Sequence, residues 1–190
     1  MEIRKQIEEA IALKKKVLSD DQIMDAMEQT IQVIVAAYQQ GGKVLFCGNG
    51  GSAADAQHLA SELSGRFYFD RAPLNAEALH VNTSFLTATA NDYSFEMVYQ
   101  RMTRALGREG DVLVALSTSG KSPNILRALE AGREIGMTTI GLTGGDGGEM
   151  QGLCDILIRV PSRDTPRIQE VHILIGHIVC EQVEALMFNK

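Results

Sequence analysis

Cysteine pairs and long apolar runs are both missing from this sequence of 190 residues. Its three cysteines, Cys47, Cys154 and Cys180, are odd in number, and none belongs to a CxxC pair. We therefore interpret them as reduced core thiols, not as a disulfide framework or a zinc knuckle. The first residues, MEIRKQIEEAIALKKK, are charged throughout, and no window approaches the ~18 apolar residues of a membrane span. We expect a cytoplasmic protein that does not contact membranes.

Positive charge is also scarce. Eighteen Lys plus Arg stand against twenty-four Asp plus Glu, which gives a net charge of −6. The chain has neither a run of basic residues nor a basic patch interleaved with aromatic residues, so nucleic acid is not the expected ligand. The charge balance favours a small molecule.

Short apolar runs separated by helical segments predict a parallel sheet that is covered on both faces. The runs are Val44–Cys47, Leu79–Val81, Val112–Leu116, Thr139–Leu142 and Ile156–Val160. Residues 2 to about 40 have apolar positions at intervals of three and four, which predicts two helices with a cap near Ser19-Asp20-Asp21. We expect one doubly wound α/β domain over residues 1–190, in which residues 1–40 form a helical extension.

The last helix is predicted to be buried on more than one side. Residues 167 to 187, RIQEVHILIGHIVCEQVEALM, are apolar around most of a helical circumference. A small domain has difficulty covering such a helix alone, so we expect oligomerisation through this helix or residues 1–40. A monomer with this helix at its centre is the alternative.

Two loops that follow predicted strands are suited to an anion. Gly48-Asn49-Gly50-Gly51-Ser52 allows close approach of the backbone, and the next helix offers free N–H groups. Ser117-Thr118-Ser119-Gly120-Lys121-Ser122 precedes Pro123 and has more hydroxyls than a helix cap needs, which favours a phosphate monoester. Neither loop has the GxxxxGK[ST] or GxGxxG pattern, so we expect a sugar phosphate and no nucleotide cofactor.

The helix after the glycine-rich loop has two side chains that can do chemistry. His58 and Glu62 are four residues apart, so they lie one turn from each other on one helical face. On the last helix, Gln169 and His177 are eight residues apart and within about 80° of each other, whereas His172 lies on another side. His80 falls in a predicted apolar strand, where a structural role is the simpler interpretation.

Five segments give the chain a resemblance that extends over nearly its whole length. They are GNGGSAADAQHLASELSGRF at 48–67, TATAND at 87–92, GREGDVLVALSTSGKSPN at 107–124, GLTGGDGGEM at 141–150 and RIQEVHILIGH at 167–177. With these segments the sequence resembles the sugar isomerase (SIS) domain family. The resemblance implies a flavodoxin-like five-stranded parallel sheet and a homotetramer with sites at subunit interfaces. It also implies isomerisation of sedoheptulose 7-phosphate to an aldose heptose 7-phosphate, which feeds ADP-heptose or GDP-heptose and lipopolysaccharide biosynthesis.

The resemblance also implies the site residues. It implies one Zn²⁺ per site, with His58, Glu62, Gln169 and His177 as ligands. The sugar phosphate would contact Asn49, Gly50, Gly51, Glu62, Asn91, Asp92, Ser117, Thr118, Ser119, Ser122 and Gln169. An aldose–ketose isomerase needs a base at carbon and an acid-base partner at oxygen, and our hypothesis assigns these roles to Glu62 and His177.

Two other functions are compatible with this fold. The DnaA initiator-associating protein resembles the same family and acts as a binding scaffold, but it lacks the residues aligned with Glu62 and His177, both of which this chain has. A sugar phosphate sensor, or a lyase for an N-acetylated amino sugar phosphate, would share the serine-rich loop without needing His58 and Gln169. The loop alone does not separate these alternatives, whereas the residues proposed as metal ligands do.

Overall fold

Five parallel strands form one sheet at the centre of the molecule, in the order β2-β1-β3-β4-β5. The computed structural model describes residues 2–188. The strands are β1 (Val44–Gly48), β2 (Ala76–Ala78), β3 (Val112–Ser117), β4 (Thr138–Gly144) and β5 (Ile156–Val160). Every residue of β1 and β3 is buried, because helices cover both faces of the sheet. The expected flavodoxin-like architecture is confirmed.

Residues 2–188 form seven α-helices in addition to the sheet. They are α1 (Ile3–Leu18), α2 (Asp21–Gln39), α3 (Gly51–Ser64), α4 (Thr83–Asp92), α5 (Val98–Leu106), α6 (Pro123–Ile135) and α7 (Thr165–Phe188), with short 3₁₀ helices at Phe95–Met97 and Gly148–Gly152. Alternation along the strands divides the core into two layers. Val44 and Phe46 pack towards α2, α3 and α7, whereas Leu45 and Cys47 pack towards α5 and α6.

The second strand differs from its sequence prediction. The apolar run Leu79–Val81 was expected to form it, but the strand is Ala76–Ala78 and the chain turns at Leu79. Leu79 is fully buried because it closes the end of the sheet, where its N–H donates to the carbonyl of Phe46 at 2.8 Å. His80 therefore lies in a turn and not in a strand. The run was misleading because only Leu79 is buried, at the turn after the strand, whereas Val81 is 41% exposed.

The predicted cap near Ser19 is present. The Asp20 carboxylate accepts from the N–H groups of Gln22 and Ile23 and starts α2. The two helices of residues 1–40 then differ in burial: α2 packs on the sheet and α7, whereas α1 leaves Ile3, Ile7 and Ile11 about half exposed. Helix α1 places Leu13 and Val17 in the core and leaves its first half exposed, and a role for residues 1–40 in oligomerisation stays a prediction.

Helix α7 is the one segment within residues 2–188 that is long and apolar enough, by length and composition, to cross a membrane. Here it serves as a core helix, because Ile168, Val171, Ile175 and Val183 are buried against α2, α3 and the sheet. Its length and composition therefore reflect a helix covered by protein on several sides. The sequence prediction of burial on more than one side is confirmed for a single chain.

The strand order places the candidate site. The chain leaves β1 towards β2 on one side and leaves β3 towards β4 on the other, and β1 and β3 are neighbours. Ligands of open α/β sheets bind in the crevice at such a reversal, beyond the carboxyl ends of the strands. The glycine-rich and serine-rich loops both begin there.

His172 on α7 makes folding sensitive to acid. It is fully buried, its Nε2 lies 3.2 Å from the carbonyl oxygen of Thr143, and burial lowers its pKa to about 4. The unfolded chain binds a proton at this histidine below about pH 6.5 whereas the folded chain does not, so stability falls as the pH drops towards the folded pKa. Between about pH 7 and about pH 5, His172 therefore lowers the free energy of unfolding by about 2 kcal/mol.

We predict that H172Q loses less stability over this pH range than the wild type, because glutamine does not bind the proton. Urea unfolding at both pH values measures the loss, and an equal loss in both proteins would contradict the assignment.

Candidate active site

The close packing of α3 against α7 creates the candidate site. Gly176 lies against Leu59, and a Cβ at position 176 would be 2.5 Å from the leucine methyl carbons. The absence of a side chain lets the two helices approach at this point. His177 follows Gly176 directly, so the close approach brings it to His58, although the two are 119 residues apart in sequence.

Three chemically able side chains meet there. The Nε2 atoms of His58 and His177 are 2.9 Å apart, and His58 Nε2 is 3.2 Å from Glu62 Oε1. One potential ligand atom from each of the three residues lies within 4.8 Å of the others. Two imidazole nitrogens and a carboxylate are suitable ligands for a divalent ion of the zinc type. The predicted pair on α3 is thus joined by His177.

Gln169 lies nearer the amino end of α3. A Cβ on Gly51 would be 2.7 Å from its amide nitrogen and 2.8 Å from its amide oxygen, so the side chain crosses directly over the first residue of α3. Gly51 therefore leaves room for the Gln169 amide at the start of α3. The role of Gln169 as a fourth ligand stays a prediction.

A further carboxylate, not identified from the sequence, adjoins this group. Asp55 lies one turn before His58 on α3, and its buried Oδ2 has no hydrogen-bond partner among the described residues. Burial raises the pKa of Asp55, while the neighbouring His58 and His177 oppose that rise. Asp55 therefore adds a partly desolvated acidic group beside the two histidines.

The glycine-rich loop has the shape of an anion site. Gly50 has φ of +56° and caps α3, so the first N–H groups of the helix are free of side-chain partners there. The Tyr99 hydroxyl donates to the carbonyl of Gly48 and fixes the strand end from which the loop starts. The N–H groups of Ser52 and Ala53 donate to the carbonyls of Asn49 and Gly50, so it is the positive end of the α3 dipole that favours a negatively charged ligand.

The serine-rich loop is also pre-formed. Ser117 and Ser122 hydroxyl oxygens are 3.2 Å apart, and Ser122 is the N-cap of α6 without a capping hydrogen bond from its side chain. Gly120 has φ of +64° and packs against Gly147, where a Cβ would be 2.1 Å from the Gly147 carbonyl oxygen. The Ser117 and Ser122 hydroxyls therefore lie together at the start of α6, and the Ser122 hydroxyl does not cap the helix.

The two loops are tied together by a pair of amides. Asn49 Nδ2 donates to Asn124 Oδ1 at 2.9 Å, and Asn124 Nδ2 donates back to Asn49 Oδ1 at 2.8 Å. Asn124 is 3% exposed and was not identified from the sequence, because nothing near it marks a contact with residue 49. The Asn49 amide, which is partly exposed, keeps a further donor and acceptor for a ligand.

The remaining candidates lie elsewhere on this edge. Asn91 and Asp92, at the end of α4, are exposed, and Asn91 Nδ2 donates to Asp92 Oδ1 at 2.9 Å. Their contact with a sugar stays a prediction. His80 packs edge-on to Tyr99 with ring centroids 6.4 Å apart, and burial lowers its pKa.

An open cavity of about 270 Å³ adjoins the serine-rich loop. Thr118 and Ser119 line one side, and Lys121 and Arg163 bring positive charge to it. Asp146 also lines it, and its pKa is lowered by the N–H of Gly148 and then by these two cations. The cavity gives the loop an electropositive border that the overall charge of the chain does not suggest.

Comparison with known proteins agrees with this geometry. A model of the SIS domain matches residues 6–144. A phosphoheptose isomerase of Clostridium acetobutylicum is 50% identical over 188 residues, which are 99% of this chain and 96% of the relative. The chain belongs to the SIS domain family, among the phosphoheptose isomerases.

Solved structures extend the agreement to three dimensions. The phosphoheptose isomerase of Neisseria gonorrhoeae has a TM-score of 0.90 at 41% identity, covering 96% of this chain and 97% of that chain. That of Francisella tularensis has a TM-score of 0.92 at 39% identity, covering 96% of each chain. The predicted membership of the SIS domain family is therefore confirmed, and the structural likeness extends over nearly the whole chain.

A substitution at Gly176 tests the α3–α7 contact that brings His58, Glu62 and His177 together. We predict that G176A destabilises the protein by about 1–3 kcal/mol, since the added methyl overpacks Leu59. G152A is the matched control, because nothing lies within 4 Å of a Cβ there, and we expect a change within about 0.5 kcal/mol. Guanidinium unfolding measures both. Equal stability of G176A and G152A would show that the helices separate without cost.

Proposed function

We propose that this protein is an aldose–ketose isomerase that converts sedoheptulose 7-phosphate to D-glycero-D-manno-heptose 7-phosphate through an enediolate. The observation that carries this proposal is the meeting of His58, Glu62 and His177 at one point, in a chain about half identical to phosphoheptose isomerases over nearly its full length. The product would feed nucleotide-activated heptose and lipopolysaccharide biosynthesis.

The phosphate end of the substrate would bind at the two loops. The Ser117, Thr118, Ser119 and Ser122 hydroxyls would donate to phosphate oxygens, the positive dipole ends of α3 and α6 would favour the anion, and Gly50 leaves room for its approach. The amide pair between Asn49 and Asn124 holds the loops at a fixed separation, so the phosphate is recognised by a pre-formed cradle.

The proton transfers need one base and one acid-base partner. Glu62 would take the proton from C1 of the ketose, and His177 would move the proton between the oxygens. His58 lies within 3.2 Å of both partners and holds them at one place. Proton return from Glu62 to C2 then gives the aldose, and the hydrogen at C2 comes from solvent because the protonated carboxyl exchanges with water before the return.

We further propose Zn²⁺ as the cofactor, held by His58, Glu62, His177 and the Gln169 amide oxygen. The donor set supports it, because two imidazole nitrogens and a carboxylate oxygen lie within 4.8 Å of one another. When bound, Zn²⁺ would supply Lewis-acid polarisation of the substrate oxygens. Glu62 would serve both as ligand and as base, which requires its carboxylate to use its two oxygens separately.

We propose a cytoplasmic homotetramer with sites at subunit interfaces as the functional form. The α1 stripe supports association, since Ile3, Ile7 and Ile11 are 57%, 55% and 48% exposed on one helical face in the single chain. Asn91, Asp92 and Gln169 are proposed substrate contacts at such a site.

The scaffold alternative is not favoured. A binding module that uses only the fold has no need of a histidine–glutamate–histidine cluster built by a glycine contact, and this chain has all three side chains in place. A sensor or lyase would use the serine-rich loop but not the cluster. The cluster therefore favours the isomerase over both.

The decisive test is conversion of sedoheptulose 7-phosphate in D₂O, followed by proton NMR. We expect the aldose heptose 7-phosphate with deuterium at C2. E62Q should lower kcat by roughly 10²–10⁴-fold, because the base at carbon is lost, while sugar phosphate binding persists. E130Q, on the exposed side of α6, is the matched control and should keep full activity. Substantial turnover by E62Q would remove its assigned role, and no turnover by the zinc-loaded wild type would remove the function.

Metal analysis of protein purified without chelator tests the cofactor. We expect about one Zn²⁺ per chain in the wild type and a clear loss in H58A, because the cluster then keeps too few ligands. H80A removes a histidine outside the cluster and should retain the metal. Equal zinc in all three proteins would exclude the proposed ligand set.

A further inference from the structure

The segment between α3 and β2 has no regular secondary structure, yet it is anchored by a buried ion pair. Arg71 in this segment and Glu184 on α7 have side chains 2% and 1% exposed, with Arg71 Nε 2.8 Å from Glu184 Oε1. The other cation–carboxylate pairs among residues 2–188 all have at least one more exposed partner. A desolvated pair is costly unless its hydrogen-bonding groups are satisfied, so its contacts matter.

The segment between α3 and β2 supplies hydrogen-bond donors to the Glu184 carboxylate. The two carboxylate oxygens accept from the N–H groups of Phe67 and Tyr68 at 2.8 and 2.7 Å, in addition to Arg71. Burial works against ionisation of this carboxyl, but the two N–H groups and the guanidinium outweigh it and lower the pKa of Glu184. The charged form therefore fixes two successive peptide groups of the loop to α7.

Arg71 completes the connection to α3. Its Nη2 donates to the carbonyl of Glu62 at 2.9 Å, and its Nη1 donates to the carbonyls of Leu63 and Gly65 at 2.8 and 3.1 Å and to that of Ala72 at 3.0 Å. The last carbonyls of a helix lack partners within the helix and favour a nearby cation. Arg71 thus serves as the C-terminal cap of α3, including the peptide of Glu62 itself.

These contacts reach the cluster from both sides. Glu184 lies seven residues after His177 on α7, and Arg71 holds the turn of α3 that carries Glu62. The N–H of Phe67 donates to Glu184, and the ring centroid of Phe67 lies 5.9 Å from that of His177. The same ion pair therefore fixes the peptide of the proposed base and the aromatic ring that packs on its partner.

From these contacts we propose that Arg71 and Glu184 are positioning residues for the His58–Glu62–His177 cluster. Neither touches the cluster atoms; they hold α3, α7 and the loop between them so that the three side chains converge. The inference rests on the proposed function for its kinetic consequence, but its geometric part applies to any metal held by the cluster.

The test uses R71K and E184Q, with R104K as the matched control. Arg104 and Glu134 form a salt bridge of 2.7 Å with both side chains about half exposed, so its loss should leave the site unchanged. R71K would keep the positive charge but lose the planar guanidinium that donates to four carbonyls and a carboxylate. We expect R71K and E184Q to weaken Zn²⁺ binding, measured by chelator competition, by at least about tenfold, and to lower kcat with KM within about twofold of wild type. Folded R71K or E184Q with wild-type zinc affinity and kcat would overturn the proposal.

A measurement on the wild type keeps the proposal testable if both variants fail to fold. Coupling between sites is reciprocal, so Zn²⁺ binding should slow hydrogen exchange of the Phe67 and Tyr68 amides. Exchange unaffected by bound zinc would contradict the coupling. Slowed exchange in a protein that does not isomerise would support the positioning role while the proposed function fails. If the wild type binds no zinc, the metal proposal fails, and kcat and KM of the variants decide the positioning role.

Discussion

The contact between Gly176 and Leu59 is the constraint on which the site depends. A side chain at position 176 would lie 2.5 Å from the leucine methyls, so the two helices approach this closely only because α7 has a glycine there. The approach sets His177 against His58, and the i, i+4 spacing on α3 adds Glu62. A site assembled from two helices of one layer is as rigid as their packing, and the buried Arg71–Glu184 pair holds their connection.

The edge that we propose binds the phosphate follows a different principle. There the sheet order brings the ends of β1 and β3 together, and the side chains of Asn49 and Asn124 join the loops that follow them. Hydroxyls and N–H groups would then bind the anion with little formal charge on the two loops themselves. This arrangement accounts for an acidic chain, of net charge −6, that is suited to a phosphorylated ligand. Positive charge comes from Lys121 within the serine-rich loop and from Arg163 beside it.

Local patterns predicted most of the fold and part of the site. Alternation of apolar runs predicted the sheet, and the spacing of His58 and Glu62 placed both on one face of α3. The wrong bounds of β2 arose because Leu79 is buried at a turn. Asn124, Asp55 and the Arg71–Glu184 pair were not found, because their partners are distant in sequence or carry no motif. Such contacts depend on how whole elements pack, which no window of sequence contains.

Helix α7 shows how one element serves several demands. Its apolar residues Ile168, Val171 and Ile175 cover the sheet and contribute to the core, which gives the helix the composition of a membrane span. Within that apolar surface, Glu184 is charged and buried, and it is tolerated because two N–H groups and a guanidinium surround it. The helix could not satisfy Glu184 in a lipid environment without the loop that Arg71 anchors. Its buried charge therefore indicates a helix suited to packing against protein, with the His58–Glu62–His177 cluster as the feature that this packing holds in place.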